Sequence, residues 1–463
     1  MASGFLTCLF LWSLQASAQI QFGSYLEFET ISDPKPIAIG DVNNDGLNDV
    51  VLATESAHYG NNINNFKVFV YLQNAAGTLD EPVKYNYSHV YGISSLKIAD
   101  LNHDGLNDVA IAYGNKVGVF YQNASHTLNN VVRYDCNPYH NSMNVGDFNS
   151  DGLTDIVLSK VDFASIEILQ QNPEGGFTHV FYPKPADFME VEVADLNNDG
   201  RDDLVFASTS GLCTYLQNSS GTMAPYVAYN NLVANYQIGG VGVGDLNNDG
   251  WKDIAFSKGG NQPHSKIYIC FQNPATGLFQ APVIQNAYDI PDPVDIADLN
   301  NDGKNEIVTV HGGWNRVSCY QQDAAGQYND YVMFPIPYAT TYIPQALSIG
   351  DLNNDGRKDL AISDLNHGMI VLYNISEVPL SRAGFAIPDW RVYPNPADEM
   401  IFIGSGALPA ATRAELFDVF GKRVLTTPLT HDRHMDISSL RAGVYLLRLT
   451  SGQTEIHKKI VKQ

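Results

Sequence analysis

The stretch Asp41-Val-Asn-Asn-Asp45-Gly-Leu-Asn-Asp49 decides how this chain folds, because its pattern returns six more times. Asp100-Leu-Asn-His-Asp104-Gly-Leu-Asn-Asp108 and Asp147-Phe-Asn-Ser-Asp151-Gly-Leu-Thr-Asp155 follow, and four further copies begin at Asp195, Asp245, Asp298 and Asp351. Successive copies start 59, 47, 48, 50, 53 and 53 residues apart. A period near 50 with several short strands in each unit is the mark of blades, arrays or solenoids.

Each copy lies between two apolar runs, Pro36-Ile-Ala-Ile-Gly40 before the first and Val50-Val-Leu-Ala53 after it. A third run ends in a recurring Gln-Asn pair, as in Lys67-Val-Phe-Val-Tyr-Leu-Gln-Asn74 and Cys213-Thr-Tyr-Leu-Gln-Asn218, and a weaker fourth follows a glycine turn such as Gly77. Four strands per unit predict an all-β fold, a seven-bladed β-propeller. The seventh unit has no fourth strand after Asn374, while residues 22–30 read as a fourth strand without a unit. Closure of the ring by this N-terminal strand is therefore expected, since it leaves no exposed sheet edge.

Positions one, three and five of the loop offer Asp, Asn and Asp oxygens, glycine at six permits a sharp turn, and position nine returns a carboxylate. With the backbone carbonyl of position seven, this set suits a hard cation that takes six to eight oxygens, and Ca2+ over the smaller, stricter Mg2+. The expected ligands are Asp41, Asn43, Asp45, Leu47 and Asp49, then Asp100, Asn102, Asp104, Leu106 and Asp108, then Asp147, Asn149, Asp151, Leu153 and Asp155. They continue as Asp195, Asn197, Asp199, Arg201 and Asp203, then Asp245, Asn247, Asp249, Trp251 and Asp253. The last two sets are Asp298, Asn300, Asp302, Lys304 and Glu306, and Asp351, Asn353, Asp355, Arg357 and Asp359, giving up to seven Ca2+. Position twelve is apolar or Thr throughout, so the bidentate Glu of an EF-hand is missing. Three acids in each of seven loops repel one another unless a cation joins them.

Charge and composition narrow the function classes. Residues 391–463 hold ten Lys and Arg against seven Asp and Glu, so the formal charge of −23 is concentrated in residues 1–390. Such a surface repels phosphate backbones and excludes nucleic acid as a partner. The apolar stretch 1–18, ending Ala16-Ser17-Ala18, reads as a secretory signal peptide too short to span a membrane, and no other stretch is a transmembrane candidate. Beyond Cys8, the four cysteines 136, 213, 270 and 319 are expected as buried thiols, because equivalent strand positions in successive blades lie too far apart to bridge.

The loops, several preceded by glycine as in Gly40-Asp41 and Gly350-Asp351, resemble the FG-GAP or VCBS repeats of integrin-type propellers over roughly residues 22–375. The resemblance implies that the metal rigidifies each blade on the face opposite the ligand-binding loops. The expected domains are a signal peptide (1–18), the propeller (19–378), a linker (379–390) and a β-sandwich (391–463). In that last module Tyr393-Pro-Asn-Pro396, Phe417-Asp-Val-Phe-Gly-Lys422, Asp436-Ile-Ser-Ser-Leu440, Gly443-Val-Tyr445 and a basic terminal strand occur in the order of a type IX secretion sorting domain, type A. This similarity implies recognition by the type IX machinery and a protein that passes the periplasm to be secreted or attached to the outer surface.

Aromatics seven to ten residues before the loops, Tyr91, Tyr139, Phe188, Tyr236, Tyr288 and Tyr342, join His58, Tyr59, His311 and Trp314 between the second and third strands as candidate ligand residues. Rings mixed with Asn, Asp and His can stack sugars and bond their hydroxyls, although each ring taken alone is also what fills a gap between blades. No HExxH, Gly-x-Ser-x-Gly or phosphate-binding glycine loop is present. Binding or adhesion to an extracellular glycan or protein is the leading reading. The alternative is a polysaccharide lyase or hydrolase using the face opposite the calcium loops, and no catalytic residue is assigned.

Overall fold

The computed structural model describes residues 19–56, 63–87, 92–137, 140–160, 165–184, 188–208, 211–229, 232, 238–323, 326–328, 331–338, 345–376, 391–393, 395–404, 413–418, 422–428, 434–451 and 454–463. Residues 1–18, expected as a signal peptide, and the whole of the expected linker, 379–390, lie outside them. All the regular structure described is β-strand, and the chain divides into two compact units, Met1–Leu380 and Ser381–Gln463.

In the first unit the described residues form seven four-stranded antiparallel sheets. The first is built from Pro34–Gly40, Asp49–Thr54, Lys67–Tyr71 and Val83–Asn86, in that order, and the next five repeat this simple up-and-down order. The seventh joins Leu347–Gly350, Asp359–Asp364 and Gly368–Leu372 to Leu26–Phe28, with Leu26 opposite Val371 and Phe28 opposite Met369.

Burial explains the composition of each strand. The second strand of the first sheet, Asp-Val-Val-Leu-Ala-Thr, is buried at every position, as a strand covered on both faces must be. The fourth, Val83–Asn86, is exposed at three positions of four and carries polar residues. Neighbouring sheets share their apolar side chains: Val51 and Val68 of the first pack with Leu96 and Ile111 of the second. Ile37, Val50 and Leu52 of the first also pack with Ala361, Met369 and Val371 of the seventh.

The first strands of six sheets meet around a cavity of about 150 Å³, lined in part by Lys97, Glu190, Glu192, Asp295 and Gln345. Gln345 reaches across to two other sheets. Its Oε1 accepts from Leu96 N at 3.1 Å and from the Ser95 hydroxyl, and its Nε2 donates to Met143 O at 2.9 Å.

The second unit has a three-stranded sheet (Arg391–Tyr393, Met400–Gly404, His434–Asp436) and a four-stranded one (Arg413–Phe417, Arg423–Pro428, Gly443–Ser451, Thr454–Lys462). One core of Ile401, Ile403, Met435, Ala414, Leu416, Leu447 and Ile460 draws on both, which makes a small sandwich. Asn395 of the Tyr-Pro-Asn-Pro segment pairs with the last strand in both directions. Its Nδ2 donates to Lys459 O at 2.7 Å and its Oδ1 accepts from Val461 N at 2.9 Å.

Candidate functional site

Every acidic loop joins the first strand of a sheet to the second, so all seven lie at the same end of their sheets. Position four is left-handed in each, from Asn44 (φ 58°) to Asn354 (φ 57°), and so is the glycine at six, with φ of 84° at Gly46. Short polar residues and glycine are what tolerate this backbone.

In the first loop, Asp41 Oδ1 and Asn43 Oδ1 both accept from Asp45 N, at 3.2 and 3.0 Å, and Asp41 Oδ2 accepts from Gly46 N at 2.8 Å. Asp45 Oδ1 accepts from Leu47 N at 2.8 Å. These bonds gather the side-chain oxygens of positions one, three and five around one turn.

Position nine is different, because it begins the buried second strand. Asp49 is inaccessible to solvent, its Oδ2 accepting from Val42 N at 3.0 Å and its Oδ1 from Gln73 N at 2.9 Å. Burial, with Asp45 and Asp41 nearby, pushes its carboxyl up to about 6; the same causes push Asp108, Asp155, Asp253 and Asp359 up to about 7 and Asp203 up to about 6. Uncompensated negative charge beside an all-oxygen donor set is an environment that a hard cation fits. Among the described residues no three His, Cys, Asp or Glu side chains stand as a ready ligand cage. The position-nine carboxylate is held by backbone N–H groups, and each of its oxygens keeps a lone pair for a metal.

The loops are not identical. Glu306 reaches the same backbone group as Asp does elsewhere, accepting from Leu299 N at 2.8 Å, and its longer arm also takes Asn300 Nδ2 at 3.3 Å. Arg201 and Arg357 at position seven pair with Asp199 and Asp355 of their own loops. Their Nε atoms donate to Gln217 O and Asn374 O, at 3.2 and 2.8 Å.

Two groups of residues with no role assigned from sequence complete the loop end. The Gln that ends the third run staples a loop to its neighbour in several sheets: Gln122 Nε2 donates to Val42 O at 2.7 Å, Gln217 Nε2 to Asp147 O at 2.6 Å, and Gln322, followed here by Asp323, donates from Nε2 to Leu246 O at 3.0 Å. The residue at loop position eight does likewise, with Asn107 donating to Asp41 O at 2.8 Å and Asn305 to Asp245 O at 2.9 Å. Asn48 spans the first and seventh sheets in the same way, bonding Asp351 O at 3.2 Å. The recurrence of the Gln was the available signal.

At the other end of the sheets, Tyr288, His311 and Trp314 come together. Tyr288 packs edge-on against both other rings, with centroids 5.3 and 5.6 Å away, and Trp314 is 37% exposed. His311 is enclosed. Its Nδ1 donates to Asp289 O at 2.9 Å, so Nε2 accepts from the Ser318 hydroxyl at 2.7 Å, and burial lowers the ring to about 4. A neutral imidazole with both nitrogens engaged holds the loop and presents nothing to a ligand. His58, Tyr59, Tyr91, Tyr139, Tyr236 and Tyr342 lie outside the described residues, as does the side chain of Phe188.

Beside this cluster, the fifth sheet ends in a cavity of about 450 Å³ lined by Gln262, Pro263, Ser265, Lys266, Asn286, Ala287 and, from the sixth sheet, Tyr331. Lys266 Nζ donates to Asn286 Oδ1 at 2.6 Å, and the Ser265 hydroxyl and Gln262 Nε2 both bond Ala287 O.

The model of the FG-GAP-like repeat matches residues 41–111, 100–158, 147–206, 195–256 and 298–362. The chain belongs to the FG-GAP-like repeat family. Residues 391–463 match the secretion system C-terminal sorting domain, of the type IX system, so this FG-GAP-like protein is secreted or attached to the outer surface and engages that secretion machinery. No curated protein matches it in sequence. Among solved structures, an Agrocybe aegerita lectin with specific recognition of non-reducing terminal N-acetylglucosamine is 18% identical with a TM-score of 0.50, over 68% of this chain and 84% of that one. BBS1N in complex with ARL6DN, soaked with lead, is 12% identical with a TM-score of 0.52, over 79% and 99%. These FG-GAP-like repeats therefore share the propeller fold.

Proposed function

We propose that the FG-GAP-like unit is a closed, seven-bladed, calcium-holding propeller that displays an extracellular binding site at the end away from its acidic loops. The seven sheets, and the first sheet packed on the seventh, support the closed ring. The donor set and the raised position-nine carboxyls support Ca2+, which would be held by positions one, three, five, seven and nine and would supply positive charge to each turn.

The observation that carries the binding reading is the polar cavity at the fifth and sixth sheets. Its volume is that of a small-ligand pocket, and its lining of amides, a hydroxyl, an ammonium group and a phenol suits a hydroxyl-rich ligand such as a saccharide. The lectin of similar fold makes a glycan the first ligand to test. Adhesion through a glycan or protein then follows from a binding site carried to the cell exterior. The enzymatic alternative gains no support from His311, whose nitrogens are both engaged.

A glycan array probed with the calcium-loaded chain tests the reading, followed by calorimetry on the best binder. Binding lost in Asn286→Ala and Lys266→Ala supports it. Binding unchanged in both, or polysaccharide cleavage without retention, overturns it.

A further inference from the structure

Cys136 follows the last strand of the second sheet, and His140 opens the first strand of the third, opposite Lys160. The Cys136 Sγ and His140 Nε2 atoms are 3.1 Å apart. The repeat shows that the fold does not call for this pair. At the same places between the fifth and sixth sheets stand Ala287 and Pro291, four residues apart and both buried. Between the first and second sheets stand Tyr87 and Ile93, packed in one apolar core. Of these three joints only the second has a thiol and an imidazole, where the other two have hydrocarbon and ring surface.

The other three described cysteines are a built-in contrast. Cys213, Cys270 and Cys319 keep 1%, 0% and 0% of their surface, whereas Cys136 and His140 keep 8% and 6%. Burial pushes the thiols of Cys213 and Cys270 up to about 12 and raises that of Cys319 well above its ordinary value. Those three are inert side chains of the strands. Cys136, buried as well, has a proton acceptor within reach and the most residual surface of the four.

We propose that Cys136 is a modification site, a nucleophilic thiol that exchanges with small-molecule disulfides and uses His140 as its proton acceptor. His140 Nε2 takes the proton as Sγ attacks one sulfur of the disulfide. The new bond to Cys136 forms as the old S–S bond breaks, and the departing thiolate receives the proton from His140. Two electrons pass from the protein thiol to the small disulfide, so no other oxidant is needed. An exported protein meets an oxidising medium, where such disulfides persist.

The test uses the reduced chain lacking residues 1–18, and with them Cys8, oxidised glutathione or a chromogenic aryl disulfide, and peptide mapping of the adduct. One mixed disulfide, at Cys136, is expected, and it is lost in Cys136→Ser. His140→Gln should slow the reaction roughly tenfold near neutral pH and return its pH profile to that of an ordinary thiol near pH 8.5. No adduct, adducts at Cys213, Cys270 or Cys319 in the folded chain, or a His140→Gln rate and profile like the parent's would overturn the proposal. If that variant does not fold, the parent's own profile decides. An inflection well below that of the urea-unfolded chain supports the assignment, and one matching it sinks it.

Discussion

The two ends of the sheets follow opposite rules. At the acidic-loop end the seven units repeat one another closely: the left-handed fourth residue and the position-nine carboxyl bonded to the backbone of position two are present in each. At the other end the same structural places hold Tyr87, Cys136 or Ala287 after the fourth strand, and Ile93, His140 or Pro291 at the start of the first. The repeated side chains are those tied to backbone groups of their own loop or of the next sheet. Where a place needs only filling, the units diverge, and that freedom is what leaves room for a ligand site or a reactive thiol.

The contrast can be broken most severely by removing the cation. EDTA should lower the melting temperature more than any single substitution below, with each loop that loses Ca2+ from a medium at a hundred times its Kd forfeiting about 2.7 kcal/mol. An unchanged melting curve would leave the uniform end without its proposed reason.

The next effect belongs to the buried acids of the first strands, where burial holds Glu192, which lines the cavity of about 150 Å³, up to about 7, and Asp292 of the sixth sheet up to about 8. Glu190 and Asp295 are raised beside them, and Lys97 opposes the rise for Glu190, Glu192 and Asp295. Asp292 Oδ1 is buried without a hydrogen-bond partner among the described residues. Native carboxyls that keep their protons longer than unfolded ones stabilise the fold at low pH. That stability is lost as pH rises from about 4 through about 8, by roughly 1.4 kcal/mol for each pH unit separating the two titrations. Melting temperatures across this range at constant free Ca2+ should fall in the parent and flatten in the Glu192→Gln, Asp292→Asn double variant.

Smaller effects separate joints from free turns. A Cβ on Gly221 (φ 72°) would stand 2.1 Å from Asn149 O of the neighbouring sheet, so Gly221→Ala should cost roughly 2–4 kcal/mol in urea unfolding. Gln122→Ala strips the donor from Val42 O and Asn107 O and should cost about 1–2 kcal/mol. Gly46→Ala meets no atom within 4 Å and has only its φ of 84° to contend with, about 1 kcal/mol in EDTA. Reversal of that order would show that the turns, and not the joints, limit stability.

Much of the fold was legible because it is periodic. Seven acidic loops flanked by apolar runs predict the repeated four-stranded sheets, and the motif order after Tyr393 predicts the sorting sandwich. Ligand residues were far less legible. His311 beside Gly312-Gly313 has the look of a site residue, yet its role as a clamp depends on Asp289 and Ser318, which meet it only in the folded chain. The staples were visible as a repeated Gln but had no visible partner, since Gln122, Gln217 and Gln322 each bond a carbonyl of the neighbouring repeat. Gln345 stands alone in sequence, and its reach to Leu96 and Met143 is set by convergence of strands.

Leu26–Phe28 finds its partner, Met369–Val371, only across nearly the whole length of the first unit. Contacts so distant in the chain are the slowest to form. The outermost strand of the seventh sheet must therefore wait, unpaired, until the last repeat is available. In a chain exported from its N-terminus, Leu26–Phe28 would stay without its partner strand until Gly368–Leu372 had followed.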